Sequence, residues 1–221
     1  MFPLDVSLFP RSMLGKIISF EGIEGTGKST QIQYLRTFLS SKDIDSVTFR
    51  EPGNTYIGEQ IRHLLQHDPD ACNMCAETEL LLFEASRAQL VRELILPTIY
   101  NSIWVICDRF FDSSTAYQGA ARKLFEKIVH QLNHFAIGEC VPDLTILLDI
   151  DVDLALKRLQ GRKEQKDRIE NEPTEFFRRV REKYLQLAAE EPARFFTVDA
   201  TLPVETIAEK ICTHVQKRFA L

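Results

Sequence analysis

Short apolar runs alternate along this chain with longer segments in which apolar residues recur every three or four positions. Side chains alternate across a strand and repeat near 3.6 residues around a helix, so the first kind suits buried strands and the second amphipathic helices. The runs predict strands at 16–20, 46–50, 103–107, 144–149 and 195–198. Helical patterns fall at 29–39, 58–66, 77–99, 113–137 with a break near Gly119, 152–159, 174–189 and 203–219. Compact strands alternating with helices predict a parallel sheet covered by helices on both faces. The stretch 161–171 is so charged that it is expected to be a mobile surface loop. No linker, low-complexity tract or repeat divides the pattern, which predicts a single domain over 13–221 behind a short tail at 1–12.

Composition narrows what such a domain can do. With 44% hydrophobic and 27% charged residues in 221, the chain can bury a sizeable core. A net charge of -5 supplies no global positive field for nucleic acid or anionic membrane, so an anionic ligand needs a local site. No apolar run approaches the roughly 18 residues a membrane span requires. The first twelve residues, MFPLDVSLFPRS, lack the basic start and small-residue cleavage site of a secretory signal. Five scattered cysteines are an odd number in a chain too long to need staples, which favours free thiols and a soluble protein of the reducing cytoplasm.

The sharpest local signal is Gly22-Ile23-Glu24-Gly25-Thr26-Gly27-Lys28-Ser29, a complete G-x-x-x-x-G-K-[ST] P-loop pattern, with Thr30 completing the turn. Its glycines let backbone N–H groups turn inward around phosphate oxygens, and the following helix adds its positive end. Lys28 is placed to reach the β- and γ-phosphates, and Ser29 to offer a hydroxyl to magnesium. An apolar strand before the motif and a helical pattern after it give the required context. Neither N-K-x-D, which reads guanine, nor L-S-G-G-Q of ABC ATPases occurs, so phosphoryl transfer to a small acceptor is the better branch.

Three further strings concern the acceptor: Arg50-Glu51-Pro52-Gly53 after the second strand, Leu82-Phe83-Glu84-Ala85-Ser86-Arg87 on a helix, and Asp108-Arg109-Phe110-Phe111-Asp112-Ser113-Ser114-Thr115-Ala116-Tyr117-Gln118-Gly119 after the third strand. With the P-loop, they resemble the bacterial type of the thymidylate kinase family over nearly the whole chain from about Gly15. The resemblance implies a three-layer P-loop kinase fold with a five-stranded parallel sheet and a mobile lid, a homodimer, and magnesium-dependent transfer from ATP to dTMP.

It also implies roles. Phe83 and Arg87, four apart on one helix face, would stack on thymine and donate to its O4, an acceptor where cytosine carries an amino donor. Ser114 and Gln118 would lie beside the base and Tyr117 beside the deoxyribose. Arg109 would bind the acceptor's phosphate, with Glu51, Pro52 and Arg62 nearby and Arg50 a weaker candidate. Glu24 would approach the sugar 3'-hydroxyl. Asp108, at a strand's carboxyl end, would order magnesium directly or through water. Asn54 and Tyr56 depart from the family's usual residues after R-E-P-G, although asparagine tolerates left-handed backbone angles.

Around Gly161 stand Arg158, Arg162, Lys163, Lys166 and Arg168. A charge run is commonly a solvated face, but the P-loop's variable positions hold no arginine, and in the family that absence accompanies a lid that supplies one. Arg162 and Arg168 are the leading catalytic candidates. His63, His67, Cys72 and Cys75 have a spacing compatible with zinc. The intervening Asp68-Pro69-Asp70 loop argues against such a site, and no structural metal is expected. The rival readings are another nucleotide or nucleoside kinase and a non-catalytic nucleotide-binding regulator.

Overall fold

A computed structural model describes residues 14–160 and 167–221. In it β1 (Ile17–Glu21), β2 (Ser46–Arg50), β3 (Trp104–Asp108), β4 (Leu144–Asp149) and β5 (Phe195–Asp199) form one sheet in the order β2-β3-β1-β4-β5. Every pairing is parallel. Each strand lies within one residue of its predicted bounds, because runs buried on both faces leave little freedom of register.

Alternation along β1 generates the layers. Ile17 packs with Val105, Cys107, Leu90, Ile95 and Ile99 on one face. Ile18 and Phe20 join Leu35, Leu39, Ile106, Phe177 and Ile211 on the other. The first layer holds α3 (Ala76–Leu90), α4 (Leu96–Tyr100) and α6 (Glu126–Ile137); the second holds α1 (Lys28–Ser40), α8 (Thr174–Glu190) and α9 (Val204–Phe219). Leu35 and Leu39 are fully buried, and at about 1.5–3 kcal/mol for each such side chain they fix α1, and so the loop before it, to the sheet. The remaining helices are α2 (Tyr56–Gln66), α5 (Phe111–Ser114) and α7 (Val152–Gln160).

Two predicted helices are interrupted. That at 77–99 passes through a π turn, Val91–Ile95, before α4. Pro97 has no N–H to give the Glu93 carbonyl and its ring crowds that oxygen, so a regular ladder cannot run through. That at 113–137 divides into α5, a π segment at Thr115–Ala121, and α6. The break comes after Ala121, where Lys123 has a φ of 62°, and Gly119 lies inside the π segment. A short turn at Pro69–Asn73, capped by the Asp68 carboxylate on Asp70 N, had no periodic signal to reveal it. The predicted tail at 1–12 lies outside the described residues, as does most of the charged stretch, 161–166.

The chain leaves β1 toward β2 on one side and later crosses from β3 to β4 on the other. The carboxyl ends of β1 and β3, adjacent in register, therefore flank the switch point where ligands of such sheets collect.

Candidate active site

The loop after β1 is shaped by two positions that no side chain could occupy comfortably. Gly22 has a φ of 134°, and a Cβ there would meet the Leu148 carbonyl oxygen at 2.5 Å. Gly27, at φ 90°, immediately precedes α1, whose first turn has neither a side-chain cap nor an acidic residue. The helix thus presents uncapped N–H groups and its positive end to the cavity. Lys28 Nζ donates to the carbonyls of Gly22 (3.0 Å) and Ile23 (2.9 Å), and the Thr26 hydroxyl also donates to Ile23 O (3.0 Å). Burial, then the nearby Arg109 charge, pulls the Lys28 ammonium down to about 8. Ser29 Oγ donates to Asp108 Oδ2 at 3.2 Å, so two oxygen donors of the kind magnesium prefers meet beside the loop.

Facing the P-loop is a cluster from β3 onward. Arg109 Nη2 donates to Glu24 Oε1 at 2.8 Å, and the Tyr117 hydroxyl donates to the same carboxylate at 2.9 Å. The Arg109 guanidinium also lies 5.0 Å from the Tyr117 ring centre. Arg109 has a left-handed backbone, φ 71°, which costs a side-chain-bearing residue about 1–2 kcal/mol. Bonds on either side hold it there: Arg109 N donates to Phe20 O (3.0 Å) and Phe110 N to Glu21 Oε1 (2.7 Å).

Glu21 and Tyr184 are the principal residues that sequence reasoning missed. The Glu21 carboxylate is fully buried and accepts from Ser113 Oγ and the Tyr184 hydroxyl, both at 2.7 Å. Burial first, then the Asp112 charge, raises it to about 7. Tyr184 Oη also stands 3.4 Å from Arg109 Nη1, so α8 braces the guanidinium from behind.

The segment after β2 forms the next wall. Glu51 and Pro52, joined by a cis peptide, line the cavity with Arg62, whose Nη1 donates to Pro52 O at 3.1 Å. Asn54 adopts φ 69°, the left-handed angle its type tolerates, and accepts from Arg50 N. Arg50 borders the cavity but is paired with Glu59 at 2.9 Å. Phe83 from α3, with Ser114 and Gln118 from the segment after β3, closes the far end.

One cavity therefore gathers Glu24, Gly25, Gly27, Lys28, Ser29, Thr30, Glu51, Pro52, Arg62, Phe83, Asp108, Arg109, Ser114, Tyr117 and Gln118. Gly22, Ile23 and Thr26 form the body of the loop behind it. Gln66, Ser113, Asp167, Ile169 and Glu170 also line it, unforeseen individually.

Two predicted site residues are not among those lining the cavity and hold other partners. Arg87 does not reach the cavity: it is 1% exposed, its Nε donates to Glu51 Oε2 (2.8 Å), and its Nη1 donates to Glu84, to Ser114 Oγ (3.0 Å) and to Asn133 Oδ1 (3.2 Å). Its charge lies directly behind Ser114, drawn there by two buried carboxylates. Arg168 is likewise committed elsewhere, with Nη2 on Glu79 Oε2 at 2.6 Å and Nε on Leu65 O at 2.9 Å. Residues 167–171 are accordingly no free surface loop, since Ile169 belongs to the main core. Arg162 lies outside the described residues. Arg158 donates to Ala200 O at 3.0 Å.

Cys72 and Cys75 are free and exposed, and the Cys75 thiol contacts Thr78 Oγ1 at 3.1 Å. Among the described residues no group of three or more His, Cys, Asp or Glu side chains converges as a metal site would require.

The thymidylate kinase family model matches residues 20–211. The chain belongs to the thymidylate kinase family. It is 47% identical to a thymidylate kinase of Kosmotoga olearia over 194 residues, 88% of this chain and 92% of the relative. Thymidylate kinases of Fervidobacterium nodosum (45% over 194 residues; 88% and 95%) and Pelobacter propionicus (45% over 207 residues; 91% and 94%) are similarly related. The P-loop, the R-E-P-G segment and the D-R-F string all fall inside the matched region. No helix among the described residues is long and apolar enough to cross a membrane.

Proposed function

We propose that this protein is a thymidylate kinase, transferring the γ-phosphoryl group of ATP to dTMP to give dTDP and ADP. The observation that carries the reading is a single cavity lined by a P-loop lysine at one end and an aromatic and amide wall at the other, with Arg109 between them. In this reading Lys28 bears charge against the transferring phosphoryl group, and Arg109 and Arg62 hold the acceptor's phosphate so that its oxygen attacks in line. Glu24 orients Arg109 and meets the sugar. Ser29 and Asp108 suit magnesium, which when bound neutralises charge on the phosphates. Phe83 stacks on the base, and Ser114 and Gln118 read its edge. Arg87 acts on that end from behind, holding Ser114 and Glu51 in place. Arg162 is our candidate for the lid arginine.

We assign the kinase domain to residues 13–221 and the protein to the cytoplasm, supported by its five free cysteines. We also propose a homodimer formed through α3 and α6, which pack together and expose Leu81 (55%), Ile128 (50%) and Phe135 (80%) beside Phe125 (71%). Light scattering should give twice the chain mass, and a monomer at micromolar concentration would refute it.

The activity is tested by ADP release from ATP and magnesium with a panel of nucleoside monophosphates. dTMP should be used best and dCMP poorly. Equal use of dCMP would make this a broader nucleotide kinase, and nucleotide binding without any acceptor-dependent ADP would leave a non-catalytic regulator.

A further inference from the structure

Gln118 sits in the π segment with its side chain on the cavity wall and almost entirely removed from water. Its Nε2 donates to Glu79 Oε1 at 2.8 Å. Glu79, on α3, is 1% exposed and does not line the cavity. Its carboxylate also accepts from Arg122 Nε (3.1 Å) and Nη2 (3.0 Å) and from Arg168 Nη2 (2.6 Å). Burial alone would raise this acid, but the bonds from Arg122 and Gln118 and the two arginine charges outweigh it and hold it below the usual range. The group is therefore ionised at neutral pH and can only accept hydrogen bonds.

An amide carries its nitrogen and oxygen on opposite sides of one carbon. A neighbour that can only accept decides which of them turns toward it. We propose that Glu79 is a specificity-determining positioning residue, which fixes the Gln118 amide with its nitrogen inward so that its oxygen faces the acceptor's base. The proposal rests on the thymidylate kinase reading and deepens it. Thymine and uracil carry a hydrogen on ring nitrogen N3 and satisfy an amide oxygen. Cytosine has a lone pair at N3, which opposes one. Discrimination at that atom then originates in a carboxylate that never touches the substrate.

Glu79→Gln gives a directional test. Arg122 Nη2 and Arg168 Nη2, which share Oε2, claim the new amide's oxygen and leave its nitrogen on the Oε1 side toward Gln118, at the loss of the Arg122 Nε bond. Gln118 must then accept, and it turns its own nitrogen to the base. The ratio of kcat/KM for dTMP to that for dCMP is expected to fall at least about tenfold, the size of effect one hydrogen bond of this kind supplies at each base. Glu79→Asp, still acceptor-only but withdrawn from Gln118 by one methylene, should lower the ratio by less than Glu79→Gln does. In wild type Gln118→Ala should lower kcat/KM for dTMP about tenfold, and in the Glu79→Gln background by less than about threefold, since Gln118 no longer helps there.

A loss of stability or of lid closure would lower turnover on both nucleotides and leave the ratio unmoved. An unchanged ratio, or equal Gln118→Ala costs in both backgrounds, overturns the proposal. Should Glu79→Gln fail to fold, the same cycle is run with Glu79→Asp, which keeps the cluster's charge but withdraws the carboxylate by one methylene. Gln118→Ala must then cost less than in wild type, and an undiminished cost overturns the proposal. Wild-type protein that makes no ADP with dTMP overturns the thymidylate kinase reading itself. Active wild type with multiplicative variants overturns only the role of Glu79.

Discussion

Replacing either Gly22 or Gly27 by alanine forces a side chain into a backbone region that favours glycine, yet the two substitutions should differ sharply in stability. At Gly22 the angle of 134° is nearly exclusive to glycine and costs about 1–3 kcal/mol for alanine. The new Cβ also meets Leu148 O at 2.5 Å, and Leu148 cannot give way because it is paired in register with Val198 inside the sheet. Overpacking of that sort adds about 1–3 kcal/mol. At Gly27 the angle of 90° costs about 1–2 kcal/mol and nothing lies within 4 Å of the added carbon. The difference is therefore about 1–4 kcal/mol. A domain of this size loses about 2–4 °C per kcal/mol, so Gly22→Ala should melt roughly 2–16 °C below Gly27→Ala in calorimetry without nucleotide. Gly27→Ala should instead show its loss in kcat/KM, because Gly27 borders the cavity. Equal melting midpoints would refute the assignment of Leu148 O as the wall that makes Gly22 obligatory.

The Lys28 ammonium, pulled down to about 8, is charged below that pH and neutral above it, so kcat/KM should fall as pH rises through about 8; a limb that persists in Lys28→Arg would refute the assignment. Lys28→Met should lower kcat at least about a hundredfold while remaining folded, and near-normal turnover would remove the lysine from the mechanism. Tyr184→Phe, which removes one buried donor behind Arg109, should lower kcat/KM for dTMP about three- to tenfold with the KM for ATP unchanged; equal effects on both substrates would point to general loosening. Arg162→Ala should depress kcat at saturating substrate, whereas Arg168→Ala should lower the melting midpoint and leave kcat within about threefold; the reverse pattern would restore Arg168 as the lid arginine.

What was legible in the sequence were features fixed by local pattern. Strands such as Leu144–Asp149 announce themselves because burial on both faces demands unbroken apolar residues. The P-loop announces itself because glycine angles and a lysine at fixed spacing are hard to replace. What stayed hidden depends on partners distant in the chain. Helical spacing puts Arg87 on the face of Phe83, but it gives no sign of the buried ion pairs that Glu51 and Glu84 make with its guanidinium. Glu21 looks like one more strand residue until α8 brings Tyr184 against it, 163 positions later. The π segments escape a reading based on a 3.6-residue period, which can register that a helix falters but not that it widens.

The widened turn at Thr115–Ala121 also bears on how this wall can change over generations. A π turn closes its ring across five residues, so it stores one residue more than an α-helical turn. Loss of a single residue there would let the chain relax into ordinary helix at little backbone cost. Residues beyond the segment would keep their places, but a deletion inside it before Gln118 would turn that side chain by up to about 100° around the axis, away from both Glu79 and the cavity. This stretch is therefore constrained in its length as well as in the letters that line the cavity. At the positions of this stretch that do not line the cavity, such as Ala120, descendants of this chain should tolerate substitution more readily than insertion or deletion.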